Sequence, residues 1–157
     1  MSWFKTAAFC SFWACAAMPA LADADWLIGM GAAGVLDEDQ DVFGVVERRA
    51  LWQDSPLDWL ATVKFSDDTL YAGAGLYRDF ELGAGWVLTP SFAPGLYTSE
   101  DKSDLGHSIE FRSMLELSWR GPRFGVGLSF AHLSNAGLGD RNPGTETLTL
   151  VLVIPSA

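Results

Sequence analysis

The stretch IEFRSMLELSW, residues 109–119, alternates between apolar and polar side chains. On an extended strand, one face would carry the apolar set, which is Ile109, Phe111, Leu115, Leu117 and Trp119. The opposite face would carry Glu110, Arg112, Met114 and Glu116. A period of two predicts a β-strand that lies between two different environments. The charged face would meet water in a soluble antiparallel sheet, or the lumen in an outer-membrane barrel.

Similar stretches recur along the chain, whereas no segment after the N-terminus keeps the apolar period of a helix. The predicted strands are 25–35, 42–52, 57–66, 69–78, 81–98, 107–119, 122–134 and 145–154. Several have about ten residues, the length that a tilted strand needs to cross a bilayer. Eight antiparallel strands can close into a small barrel whose interior is filled by side chains. A lumen holding Lys64, Glu110, Arg112 and Glu116 would need internal ion pairs, because an unpaired buried charge is costly.

Tryptophans and connection lengths favour the membrane barrel. Strands that run up and down in order would place four tryptophans on one rim, namely Trp26, Trp52, Trp59 and Trp119. This is the pattern of an interfacial aromatic girdle. Tight turns are predicted on that rim at Asp79-Phe80 and Gly121-Pro122, with longer polar loops opposite. We therefore predict an all-β fold, an eight-stranded antiparallel transmembrane β-barrel of the bacterial outer membrane. A periplasmic β-protein of lipocalin or sandwich type stays open as the alternative.

The N-terminal segment predicts export. Residues 1–22 have a cationic start at Lys5, a short apolar run, and Ala20-Leu21-Ala22 as a small-x-small cleavage site. We interpret them as a signal peptide and residues 23–157 as a single barrel domain, located in the outer membrane of a Gram-negative cell. The net charge of the chain is −10, which makes nucleic acid an improbable partner.

Three residues near the C-terminus could carry chemistry. Alternation over residues 123–154 places His132 and Ser134 at the end of one outward apolar stripe, and Glu146 at the start of the next. Residues two apart on a strand face the same way, and opposite residues on antiparallel neighbours lie close together. A nucleophile, a base and an orienting acid are the groups that acyl transfer requires. From geometry alone, the three residues either form such a triad or merely mark the polar headgroup boundary.

The segment His132-Leu133-Ser134-Asn135-Ala136-Gly137, followed by Asn142 and Glu146, resembles the active-site signature of the outer-membrane lipid A 3-O-deacylases, the PagL family. The resemblance implies an eight-stranded barrel that carries a catalytic triad of His132, Ser134 and Glu146. It also implies an oxyanion hole at the turn from Asn135 to Gly137, together with Asn142.

The implied activity is that of a carboxylic ester hydrolase acting on the acyl chain at position 3 of lipid A. The substrate is then lipid A or lipopolysaccharide, and we expect no metal and no cofactor to take part. A homodimer is left open as a further partnership. Two alternatives also stay open: a non-enzymatic small barrel with a structural or adhesion role, and a lipid A acyltransferase.

Overall fold

The chain folds into antiparallel strands joined by turns and loops. The computed structural model describes residues 24–36, 40–100 and 103–156, so the predicted signal peptide lies outside the described residues. The strands are β1 (Ala24–Ala33), β2 (Asp41–Ala50), β3 (Asp58–Phe65), β4 (Thr69–Tyr77), β5 (Phe80–Gly83), β6 (Trp86–Ser99), β7 (Ile109–Arg120), β8 (Gly125–Ser134) and β9 (Thr145–Ile154). In this part of the chain, no helix is long and apolar enough to cross a membrane.

Eight of these strands close into a barrel. Strand β1 pairs with both β2 and β9, and β4 pairs with β6, so among the described strands the sheet has no open edge apart from the short β5. All pairings are antiparallel, and β5 pairs with β6. The predicted eight-stranded antiparallel barrel is therefore confirmed.

One predicted strand and one predicted turn are wrong. The expected single strand 81–98 is two strands, because Gly83, Ala84 and Gly85 have φ angles of 93°, 52° and 82° and reverse the chain. Consequently the tight turn lies at Ala84-Gly85 and not at Asp79-Phe80, and β5 continues β4 along the same edge of β6. Asp79 is half-buried, and its carboxylate accepts hydrogen bonds from Thr89 and Arg120. Asp79, which was predicted to lie in a turn, is therefore held by hydrogen bonds to neighbouring strands.

The two faces of the barrel wall differ as the alternation predicts. On β9, Leu148 and Leu150 are 46% and 66% exposed, whereas Thr147 and Thr149 between and beside them are 3% and 4% exposed. Strand β8 follows the same rule, with exposed Phe130 and buried neighbours. The apolar face is thus the outside of the barrel, as in membrane barrels and opposite to soluble sheets.

Ion pairs fill the middle of the lumen. Glu47 bridges Arg49 and Arg112 at 2.7 and 2.6 Å, and Arg49 also binds Glu116 at 2.7 Å. As expected, Arg112 and Glu116 each have an ion-pair partner inside the lumen, which is Glu47 for Arg112 and Arg49 for Glu116. Lys64 instead places its ammonium 4.1 Å from the centroid of the Phe43 ring. Glu110 is fully buried, and its carboxylate has no hydrogen-bond partner among the described residues.

The two ends of the barrel differ in composition. One end, the tryptophan rim, carries the four expected tryptophans and also Trp86, which pairs with Trp119. The other end, the loop rim, carries the connections 34–40, 100–108 and 135–144 and the short turn 66–68, whereas the connection 51–57 lies on the tryptophan rim. The connection 135–144 joins β8 to β9 and contains the expected oxyanion residues, and because of that expectation we name it the catalytic loop.

Candidate active site

The side chains of His132 and Glu146 are in contact on the outside of the barrel wall. The register of β8 and β9 sets the two residues directly opposite each other. His132 Nδ1 lies 3.0 Å from Glu146 Oε1, and the side chains are 46% and 24% exposed. A carboxylate at this distance can hold one ring nitrogen of the imidazole and leave Nε2 free for chemistry.

Ser134 ends β8 two residues after His132 and is half-buried. The strand period points both side chains to the same face. In the described residues no hydrogen bond joins Ser134 to His132, and such contacts often tighten only when substrate binds. The structure thus brings His132 and Glu146 into contact and sets Ser134 on the same stripe.

Gly144 determines where the imidazole can lie. A Cβ at this position would come within 2.9 Å of His132 Cε1. Its φ of 67° also lies in the left-handed region that side chains disfavour. The Gly144 backbone packs against the histidine ring and leaves no room for a side chain.

The expected oxyanion residues lie together in the catalytic loop, where most of their donors have partners. The Asn135 N–H donates to Asn142 Oδ1 at 3.0 Å, and the Gly137 N–H donates to Asn135 Oδ1 at 2.9 Å. The Asn135 side chain is fully buried and donates to the carbonyls of Leu105 and Arg141 at 2.8 and 2.7 Å. Because Asn142 Oδ1 accepts a bond, its Nδ2 is the end left to donate elsewhere.

Strand β7 adds neighbours that the sequence did not indicate. Ser113 lies opposite His132 on the side away from Glu146, and Phe111 lies opposite Ser134. Phe111 in turn stacks on Phe92, with ring centroids 5.9 Å apart. These pairings depend on the register between β7 and β8, which the alternation alone does not specify.

An apolar surface extends from the His132–Glu146 pair toward the tryptophan rim. Phe130 and Leu148 pair with each other one step below the His132–Glu146 pair, and Leu128 and Leu150 follow. All four are exposed. A polar cluster that borders such a surface is suited to a substrate with a polar head and acyl chains.

Comparisons with known proteins agree with the fold and the motif. The family model described as lipid A 3-O-deacylase (PagL) matches residues 37–155. Among solved structures, the outer membrane enzyme PagL aligns with a TM-score of 0.64 and 19% identity, covering 83% of this chain and 99% of that one. Neisserial surface protein A (NspA) aligns with a TM-score of 0.56 and 11% identity, over 84% of this chain and 95% of that one.

A structure from the de novo design of transmembrane β-barrels aligns with a TM-score of 0.58 and 9% identity, over 85% of this chain and 95% of that one. No curated protein matches the chain. At these identities the structural matches indicate a shared fold, whereas the family model also covers the motif and the strand after it. The chain therefore belongs to the lipid A 3-O-deacylase (PagL) family.

Proposed function

We propose that the protein is an outer-membrane serine esterase that hydrolyses the acyl chain esterified at position 3 of lipid A. The observation that carries this proposal is the 3.0 Å contact between His132 and Glu146 on the outward face that also holds Ser134. Polar and ionisable side chains on a lipid-facing wall cost free energy, so their presence there indicates a function. Here it borders an apolar surface where acyl chains can lie.

The chemistry follows from the order of the three groups. Ser134 Oγ attacks the ester carbonyl while His132 Nε2 takes the hydroxyl proton, and Glu146 stabilises the imidazolium that forms. The protonated imidazole then gives its proton to the departing sugar oxygen. A water molecule, activated by His132, attacks the acyl-serine, and the fatty acid leaves as Ser134 regains its proton. The matching family model is described as a deacylase, which favours water over a second lipid as the acyl acceptor, and hence hydrolysis over acyl transfer.

The oxyanion of the tetrahedral intermediate needs donors that the loop does not already use. We assign this role to Asn142 Nδ2 and to the N–H of Ala136, which has no hydrogen-bond partner among the described residues. The N–H groups of Asn135 and Gly137 then keep the turn in shape. This assignment refines the oxyanion hole that the resemblance implied, with Asn142 kept as a direct donor.

Placement in the membrane completes the proposal. With the tryptophan rim on the periplasmic side, the loop rim and the triad lie at the outer leaflet, where lipid A resides. The substrate reaches Ser134 by lateral diffusion along the wall, so no lumenal entry is needed. Export would use the signal peptide of residues 1–22.

Mass spectrometry of lipid A from a Gram-negative host tests the function. Cells expressing the wild type should lose one hydroxyacyl mass, and cells expressing Ser134→Ala should not. Thr98→Ala is the matched control, because Thr98 is exposed at the loop-rim end of β6 and its hydroxyl bonds to no described residue. Unchanged lipid A with a folded wild-type barrel contradicts the proposal, and a gain in mass points to acyl transfer.

A further inference from the structure

The catalytic loop touches a second loop, and Asn135 makes the connection. Its two amide donors bind the carbonyls of Leu105 and Arg141, 30 and 6 positions away. Leu105 belongs to the connection between β6 and β7, of which we name residues 103–108 the supporting segment. A fully buried side chain whose donors are all used is suited to joining two backbones.

The two backbones approach so closely that neither has room for a side chain at the contact. A Cβ on Gly106 would lie 2.4 Å from the carbonyl oxygen of Arg141, and a Cβ on Gly139 would lie 2.4 Å from the carbonyl oxygen of Gly106. Gly106 also has a φ of 89°. The contact is therefore a reciprocal backbone interlock between the supporting segment and the catalytic loop.

The supporting segment is anchored to the barrel. Leu105 is 5% exposed and packs with Tyr71, Tyr97 and Leu133 at the loop-rim end of the lumen. The Tyr97 hydroxyl donates to the carbonyl of Ser103 at 2.7 Å. Outside, Arg141 and Asp104 form an exposed ion pair at 2.7 Å, which contributes little stability by itself. The anchor is thus mainly the buried leucine and the tyrosine hydrogen bond.

We propose that the supporting segment positions the oxyanion donors, and that Gly106 in this segment and Asn135 in the catalytic loop are the positioning residues. The inference rests on the proposed function, because it assumes that Ala136 and Asn142 act on the substrate. Donors on a loop must be held in place before reaction, and a displacement of about 1 Å can lower the rate about 100-fold. The interlock supplies that support from a strand connection whose described residues make no hydrogen bond to His132, Ser134 or Glu146.

Hydrogen–deuterium exchange tests the support without any need for activity. Gly106→Ala should speed exchange of amides in residues 135–144, because a methyl group would push Arg141 away. Gly83→Ala is the matched control, since Gly83 has a similar φ of 93° but nothing within 4 Å of its Cβ position. Faster exchange in Gly106→Ala alone supports the proposal, and equal exchange in wild type and both variants overturns it.

Kinetics on purified lipid A test the consequence for catalysis. In Gly106→Ala, kcat should fall about tenfold or more while KM stays within about twofold, since support for oxyanion donors acts on the transition state. Unchanged kcat in a variant whose catalytic loop exchanges faster overturns the proposal. If the folded wild type releases no fatty acid, the proposed function fails, and the exchange experiment still decides whether the loops are coupled.

Asn135→Asp provides a second route if Gly106→Ala does not fold. The aspartate keeps the acceptor for Gly137 but loses both donors to Leu105 and Arg141. Its kcat should fall as well, with faster exchange in the catalytic loop. Where both single variants fold, the double variant should be no slower than the slower single, because both act through one contact. If the fold-losses in kcat of the two single variants multiply in full in the double variant, the two residues do not act through a shared contact, and the proposal is overturned.

Discussion

His132 Nδ1 and Glu146 Oε1 lie 3.0 Å apart across the β8–β9 pair, on the outside of the barrel. Main-chain register sets the two residues opposite each other, and Gly144 at the end of the catalytic loop limits where the imidazole can lie. Rigid elements position catalytic groups more accurately than loops do. The proposed oxyanion donors lie on a loop, and we expect them to depend on its interlock with the supporting segment.

Glu146→Gln tests whether the carboxylate orients and stabilises the imidazole. The amide is nearly the same size but carries no charge and can offer a donor to Nδ1, which favours the wrong tautomer. We expect kcat to fall by about 100- to 10,000-fold, in line with triads in which the acid is neutralised. Initial rates on lipid A in detergent micelles measure this, with heat-modifiable gel migration as the check on folding. A folded variant that keeps a third of the wild-type rate would contradict the orienting role.

Gly144→Ala tests the space behind the histidine ring. A methyl group would meet His132 Cε1 at 2.9 Å and would force a φ of 67° on a residue with a side chain. We expect kcat to fall at least about tenfold because the ring must move relative to Ser134. Gly83→Ala carries comparable backbone strain without the contact and should retain wild-type activity. Equal rates for the two variants would show that the ring does not depend on Gly144.

Side-chain direction could be predicted from the sequence because it depends only on neighbouring residues. Alternation placed Leu148 outside and Thr149 inside, and the structure agrees. The break between β5 and β6 could not be predicted in this way. A glycine–alanine–glycine run fits a strand interior as well as a turn, and the role of Asp79 depends on Arg120, 41 residues away.

The same limit applies to the candidate site. The spacing of His132, Ser134 and Glu146 is local, so the motif and its shared face could be predicted, as could the neighbouring stripe. The partners of Asn135 could not, because Leu105 approaches it only through the closed barrel. Gly144 was visible in the sequence, but its contact with His132 depends on how the catalytic loop returns to β9.

Glu47→Gln tests the ion-pair network inside the barrel. Glu47 is 1% exposed and binds both Arg49 and Arg112, so its loss leaves two buried cations with fewer partners. Removing one partner of a buried pair costs about 3–5 kcal/mol, and we expect a loss of that order in the free energy of unfolding. Urea titration followed by tryptophan fluorescence measures it. The exposed Glu81→Gln serves as the control, and equal midpoints for the two variants would contradict a structural role for the network.

Leu150→Arg tests whether the apolar outer face lies in lipid. Leu150 is 66% exposed in the middle of β9 and has leucines at the neighbouring outward positions. An arginine at the bilayer midplane costs about 2–4 kcal/mol in a membrane barrel, but only about 0–1 kcal/mol near the interface. Leu36→Arg, at a 72% exposed loop position on the loop rim, should therefore lower the free energy of unfolding much less. Unfolding free energies in phospholipid vesicles measure the difference. Equal and small costs for both variants would mean that the β9 stripe meets water, which would contradict placement of the triad against the outer leaflet.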